Sequence, residues 1–241
     1  MEDIVIWGRN PIVEALKSGK SVEKIYVAHD SHPHRELVRL AKDKGVKIQR
    51  VSRKKIEELA GTKKTQGVVA LISAVRYVPF YELFRETIDR NSFLLVIDHI
   101  TDPQNVGNLI RTCEVLGGAG VLITKENTSP INQTVIKASS GAIFHLKVSK
   151  TSSLIKPLRE FKNMGGWVFS IEKGGKDIGS FDIAKPCALV LGAEDRGVSK
   201  GVLELSDEVL SIPMSGKTTS LNVSSAGAIA MWEAVRSCCA Q

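Results

Sequence analysis

Residues 92–100 read "SFLLVIDHI", with five consecutive apolar side chains from Phe93 to Ile97. A strand with one solvated face would alternate apolar and polar residues. This run does not alternate, so it needs cover on both faces, the condition of a strand inside a parallel sheet. "GVLIT" (120–124), "IFHLKVS" (143–149), "GWVFSIE" (166–172), "CALVLGAE" (187–194) and "EVLSIPM" (208–214) read as further strands, with segments of helical spacing between most of them. Alternating strand and helix predicts an α/β fold with a mainly parallel sheet. Ligands of such sheets bind beyond the carboxyl ends of the strands, so the chemistry is sought where each run stops.

The first third has the same alternation on a smaller scale. "IVIWG" is strand-like, and Asn10 followed by Pro11 reads as a helix cap and first turn leading into "IVEALKSG". "VEKIYVA" is a strand, "PHRELVRLAKDKG" has helical spacing up to Gly45, and "VKIQRV" is a strand. Ser52 then caps "RKKIEELAG", and "QGVVALIS" closes the unit. The chain therefore divides into a small α/β domain over residues 1–75, a proline-started linker over 76–91 and a second domain over 92–241.

Charge separates the parts. Residues 1–75 carry 15 basic and 9 acidic side chains, residues 76–91 carry 3 of each, and residues 92–241 carry 15 and 14. A basic module beside a near-neutral one fits a polyanion-docking domain, or else a merely solvated basic surface. No apolar run reaches the roughly 18 residues that span a membrane. The start, "MEDIVIWGRN", lacks the pattern of a signal peptide, so a cytoplasmic protein is expected. Cys113, Cys187, Cys238 and Cys239 show no metal-ligand spacing and read as reduced thiols. No metal site is expected.

Three strand ends in the second domain break the apolar pattern alike. After "LLVID" comes "HITDPQNVGNLIRTCEV". In a helix from near Val106, Val106, Leu109, Ile110, Cys113 and Leu116 share the core face, while Asn108, Arg111 and Thr112 fall elsewhere. Arg111 suits a phosphate or carboxylate, because its guanidinium is a rigid fork of donors. "LVLGAEDRGVS" (189–199) places two glycines around acidic residues. "LSIPMSGKTTSLNVSSAGAIAMWEAVR" (210–236) runs from a strand through small and polar residues into a helix rich in Ala and Gly. That helix reads as a subunit interface or as packing within the chain. "GKT" at 216–218 resembles the end of a phosphate-binding loop, but Ser211 stands where that motif needs glycine. His99 and His145 lie in apolar strand contexts and read as structural. Amides, hydroxyls, an acid and an arginine around glycine-bearing loops suit binding a polar cofactor and aligning a group transfer.

Together "NVGNLIR", "LGAEDRGVS" and "IPMSGKTTSLNVSSAGAIAMWE" resemble, in order and spacing, the three motifs of the SpoU/TrmH family of RNA ribose 2′-O-methyltransferases. Residues 1–75, with "WGRNPIVEAL" and "KTQGVVA", resemble the RNA substrate-binding domain that many bacterial members carry. The resemblance implies a trefoil knot in the second domain and S-adenosylmethionine as methyl donor. It implies Gly192, Ile212 and Leu221 as cofactor contacts, largely through backbone, with "FSIE" (169–172) beside the adenosine. It implies Asn105, Arg111, Glu194, Ser220 and Asn222 as the catalytic positions. Arg111 would meet the phosphate next to the target ribose and assist loss of the 2′-hydroxyl proton. Asn105 and Ser220 would orient the ribose and Arg111, and Glu194 would hold the loop or position Arg111. The implied partners are RNA and a second copy of the chain, with no DNA and no membrane.

Expected from these readings is a methyltransferase acting on a guanosine of 23S ribosomal RNA, with transfer RNA the alternative substrate. A non-catalytic RNA-binding or ribosome-assembly protein is the alternative of another class. A nicotinamide-nucleotide enzyme is disfavoured, because the GxGxxG fingerprint is absent.

Overall fold

The computed structural model describes residues 4–218 and 220–236, so Cys238 and Cys239 lie outside the described residues. In chain order the elements begin β1 (Ile4–Trp7), α1 (Arg9–Lys17), β2 (Val22–Ala28), α2 (Arg35–Asp43), β3 (Lys47–Val51), α3 (Arg53–Ala60) and β4 (Val68–Ile72). They continue with α4 (Phe80–Asp89), β5 (Phe93–Asp98), α5 (Pro103–Val115), β6 (Gly120–Thr124), α6 (Gln133–Ala138) and β7 (Lys147–Thr151). Last come α7 (Ile155–Asn163), β8 (Trp167–Asp177), β9 (Cys187–Gly192), α8 (Lys200–Leu205), β10 (Glu208–Ser211) and α9 (Val223–Arg236).

The chain forms two units. One comprises Met1–Arg76 together with Ile131–His145, the other Tyr77–Pro130 together with the chain from Leu146. The first holds a four-stranded sheet in the order β1-β4-β2-β3, with β4 antiparallel to both neighbours and β2 parallel to β3. Ile6, Ile12, Leu16, Ile25, Leu37, Ile56 and Ile72 are fully buried and make its core. Ser52 caps α3 as expected, its Oγ accepting from Lys55 N at 3.2 Å, and Gly61 ends that helix in the left-handed region at φ 65°. The start of α1 differs from the expectation. Asn10 lies inside the helix, the cap position is Gly8 at φ 85°, and the side chain that accepts from Arg9 N is Gln66, at 2.8 Å. A cap delivered from 57 residues away leaves no trace in the local sequence.

The expected strand "IFHLKVS" is also corrected. Ala142–His145 form a 3-10 turn of the first unit, and β7 starts only at Lys147. Gly141 explains the break. It sits at φ +88°, and a Cβ there would come 2.8 Å from Glu14 Cβ, so the chain turns and buries Ile143 and Phe144 instead of extending.

The second unit holds a six-stranded sheet in the order β10-β8-β9-β5-β6-β7, every pairing parallel. Leu94, Val96, Ala188 and Val190 pack with Leu83, Phe84, Leu158, Phe161 and Val202, which brings α4, α7 and α8 onto one face. The alternate residues of β9 turn to the other face, where a Cβ on Gly227 of α9 would lie 2.7 Å from Leu191 Cδ1 and 2.2 Å from Leu109 Cδ2. Gly227, Ala230 and Ala234 are thus small because α9 packs closely inside the chain. Residues 76–91, expected as a linker, carry α4, and its Leu83 and Phe84 are fully buried, Phe84 at 5.1 Å from the Phe161 ring. From β9 the chain passes through α8 to the edge strand β10, and α9, which follows it in sequence, packs on β9 and α5. No helix among the described residues is long and apolar enough to cross a membrane.

Cys113, on the buried face of α5, has its thiol pushed up to about 12 by burial. The unfolded thiol titrates near 9.0, so this contribution to stability is intact below that pH and is lost as pH rises toward about 12. Iodoacetamide at about pH 8 is expected to spare Cys113 in the native chain and to label it in urea. Equal labelling in both, read by peptide mass mapping, would overturn the buried placement.

Candidate functional site

β8, β9 and β10 run parallel and end side by side. Beyond their carboxyl ends lies a cavity of about 490 Å³. Its walls come from Ile171 and Glu172 of β8, the loop from Gly192 to Gly197 after β9, Ile212 and Met214 after β10, and residues 220–223 leading into α9.

The loop after β9 is the tightest part. A Cβ on Gly192 would lie 2.1 Å from the carbonyl carbon of Gly197 and 2.2 Å from Val198 N, so this position admits only glycine without moving backbone. Gly197 sits at φ +69°, and a Cβ there would meet Glu172 Oε2 at 1.9 Å. Gly197 N donates to Ala193 O at 2.8 Å and closes the loop. Two acids on the strands that flank β9 hold the residues on its far side. Glu172 accepts from Val198 N at 2.9 Å and from Lys173 N at 3.0 Å. Asp98, 1% exposed at the end of β5, accepts from Ser199 N at 2.7 Å and pairs with His99 Nδ1 at 2.5 Å.

With its ends fixed, the loop presents Glu194 to α5. Asn105 Nδ2 donates to Glu194 Oε1 at 2.6 Å, and Asn222 Nδ2 donates to Asn105 Oδ1 at 3.0 Å. Asn222 Oδ1 in turn accepts from Ser224 N at 2.9 Å and Ser224 Oγ at 2.6 Å, which caps α9. One hydrogen-bonded chain therefore joins all three polar strand ends. Asn105 is 8% exposed and reaches this position because α5 begins at Pro103, one turn earlier than the apolar spacing alone predicts.

Of the eight positions singled out in the sequence, Gly192, Glu194, Ile212, Ser220, Leu221 and Asn222 line the cavity. Asn105 stands behind it, bonded to two lining residues. Arg111 does not line it. It lies on the exposed side of α5, six residues after Asn105 and hence about 9 Å further along the helix axis. A second cavity of about 750 Å³ lies against the same loop, lined also by His99, Thr101, Asn127, Ser199 and Lys200. Residues 193–197 thus contribute to the walls of both. Asp98 escaped the sequence reading, and the available signal was a lone acid closing an otherwise apolar strand. Among the described residues no group of three His, Cys, Asp or Glu side chains is placed to hold a metal ion.

Residues 92–232 match the SpoU rRNA methylase family, and residues 5–78 match the RNA 2′-O ribose methyltransferase substrate-binding domain. The chain is 36% identical over 239 residues to YacO of Bacillus subtilis, a putative TrmH family tRNA/rRNA methyltransferase, covering 97% of this chain and 95% of that one. In fold it resembles the SpoU methyltransferase AviRb of Streptomyces viridochromogenes, solved with AdoMet (TM-score 0.83, 22% identity, 99% and 92% of the two chains). It also resembles an AdoMet-bound rRNA methyltransferase of Sinorhizobium meliloti (0.81, 23%, 97% and 87%). A TrmH/SpoU tRNA modifying enzyme of A. aeolicus aligns with a smaller part (0.55, 27%, 66% and 81%).

The hydrogen-bonded chain makes Asn105 and Asn222 interdependent. Asn105→Ala is expected to cost about 1–2 kcal/mol of unfolding free energy, and Asn222→Ala to cost less in that background than in the parent. Urea unfolding of the four proteins measures this, and strictly additive losses would contradict the link.

Proposed function

Since the chain belongs to the SpoU methylase family, as an S-adenosylmethionine-dependent RNA 2′-O-methyltransferase, we propose that it methylates a guanosine ribose of 23S ribosomal RNA, using the three strand ends as its active site. The observation that carries this assignment of residues is the Glu194–Asn105–Asn222 chain, which ties three separated polar motifs to one cavity.

The donor fits that cavity. Its volume lies in the range of small-molecule sites. Gly192 offers backbone without a side chain, and Ile212, Met214 and Leu221 offer apolar surface, with Met214 and Leu221 exposed in this structure. Gly192, Ile212 and Leu221 would hold S-adenosylmethionine largely through backbone groups, with Ile171 beside them. Bound there, it supplies a methyl group on a positively charged sulfur. The protein's own residues do the rest. Glu194 and Asn105 hold the loop, Ser220 and Asn105 orient the target ribose, and the second cavity receives the target nucleotide across the shared 193–197 wall. Arg111 would hold the adjoining phosphate, which accepts the proton of the 2′-hydroxyl, and would stabilise the developing alkoxide that takes the methyl group. An arginine is a poor base in water, so its effect is electrostatic. The return of the chain from the edge strand β10 to α9, packed on β9 and α5, is read as the thread of the implied knot.

Two features support ribosomal over transfer RNA. The first 75 residues are strongly basic, which suits docking to a large structured RNA. The rRNA methyltransferase of S. meliloti matches 97% of the chain, whereas the tRNA modifying enzyme of A. aeolicus matches 66%. Such an enzyme works in the cytoplasm. Val115, Ile229 and Trp232 are exposed on α5 and α9, and a second copy of the chain is proposed to cover them. Sedimentation showing monomer alone would remove the dimer.

Two measurements test the reading. With tritiated S-adenosylmethionine, label is expected in unmodified large-subunit ribosomal RNA, and alkaline hydrolysis should leave the linkage beside the labelled ribose uncut. Label in total transfer RNA alone would reverse the substrate choice, and label in neither would point to a protein that binds RNA without modifying it. Arg111→Ala is expected to reduce methyl transfer by about 100-fold or more while calorimetric binding of S-adenosylmethionine stays close to the parent. Full activity in that variant would remove Arg111 from the mechanism.

A further inference from the structure

The first unit contains its own cavity of about 330 Å³. Its floor is apolar, from the buried side chains of Val27, Leu37 and Val68. Its rim is polar and exposed, from Arg9, Asn10, His32, His34 and Gln66. No carboxylate is among the lining residues.

Three loops meet there, and each is held in place. The loop after β2 is held by Arg50, whose Nη1 donates to the carbonyls of Ala28, His29 and Ser31 at 3.3, 3.2 and 3.0 Å. Arg53 holds the same loop through Asp30 at 2.7 Å and Ser31 Oγ at 3.1 Å. The loop before β4 presses against it: a Cβ on Gly67 would lie 2.0 Å from Ser31 Oγ. The loop before α1 is tied to that one by the Arg9 N–Gln66 bond. Gln66 itself sits at φ 55°, a conformation that is uncommon for a residue with a side chain. A fold seeking only stability would fill a pocket with an apolar floor. Keeping it open between rigid loops is the mark of a ligand site.

The rim chemistry defines the ligand. The Arg9 guanidinium suits an anion; the carboxylate that feels its charge, Glu36 of α2, lies outside the lining and is paired with Lys17 at 3.0 Å. Amides at Asn10 and Gln66 read polar edges, and an imidazole beside an apolar floor stacks on a flat ring. We propose that this cavity captures one unstacked nucleotide of the RNA substrate, with its base on the floor beside His32 and its phosphate against Arg9. Duplex RNA buries its bases and cannot enter, so the cavity makes the first unit a reader of a loop, bulge or end. The proposal rests on the chain acting on RNA, and its test is independent of methyl transfer.

Fluorescence anisotropy of the full chain, without S-adenosylmethionine, would compare a short single-stranded RNA with the same sequence as a duplex, at low and physiological salt. The parent is expected to bind the single strand more tightly. His32→Ala is expected to weaken single-strand binding about tenfold at both salts, leave duplex binding unchanged, and be rescued by His32→Phe, which keeps a stacking face without the charge. Lys63→Ala, outside the cavity, is expected to weaken both forms and lower the salt slope by about one. Equal loss for single strand and duplex in His32→Ala, no loss at all, or no rescue by phenylalanine would overturn the proposal. A parent protein that shows the single-strand preference but transfers no methyl group would overturn the function proposed above and leave this one standing.

Discussion

The site depends on one close backbone approach, Gly192 against Gly197 and Val198. A loop that returns so tightly on the end of its own strand leaves inward-facing N–H groups, and buried donors must find acceptors. Glu172 within β8 and Asp98 at the end of β5, the two strands that flank β9, provide them. The acids are structural for that reason, and this shapes the chemistry. Glu194 accepts from Asn105, and Asp195 pairs with Arg196. Each of these carboxylates is therefore engaged within the protein, Glu172, Asp98 and Asp195 with the loop and its flanks and Glu194 with α5. A transfer that relies on a pre-activated methyl group and on electrostatic help from an arginine suits such a site, because alignment supplies most of what is needed.

Much of this was legible in the chain because the relevant signals are local. The uninterrupted apolar runs at 93–97 and 187–191 announced a parallel sheet covered on both faces, and both are central strands. Ser52 capped where a cap was read. What stayed hidden was set by distant partners. Asn10 has the right neighbours for a cap, yet Gln66 supplies the acceptor from the far end of the domain. The run at 143–146 has strand composition, but Gly141 turns it into the core of the first unit. The segment 76–91 reads as a proline-started helical connector and does carry α4, but the burial of Leu83 and Phe84 depends on the face that helix presents. Asp98 could not be ranked above any other acid until Ser199 was seen to donate to it.

Charge illustrates the same gap between composition and contact. The first 75 residues carry a clear basic excess, but Arg50 and Arg53 use their guanidinium groups to hold the loop at 28–31, and Lys17 is engaged by Glu36 at 3.0 Å. These cations still contribute to the long-range field that attracts RNA. Close contacts to phosphate fall to the others, so the salt dependence of RNA binding should reflect fewer charges than the sequence carries.

The two sides of the catalytic unit differ in how complete they are. The proposed cofactor side is built from backbone whose geometry is fixed by glycines, by Glu172 and Asp98 and by the Asn105 bridge, all within one chain. Such a cavity needs little reorganisation to bind its ligand, which conserves affinity. Arg111 stands on an exposed helix surface outside both cavity linings. Arg111, proposed to act on the developing alkoxide, is thus enclosed by neither cavity. Under the proposed mechanism its guanidinium works on an RNA phosphate that only docking of the substrate brings. Catalysis would then be conditional on correct docking: the donor can be held beforehand, while the arrangement that removes the proton exists only once RNA is in place.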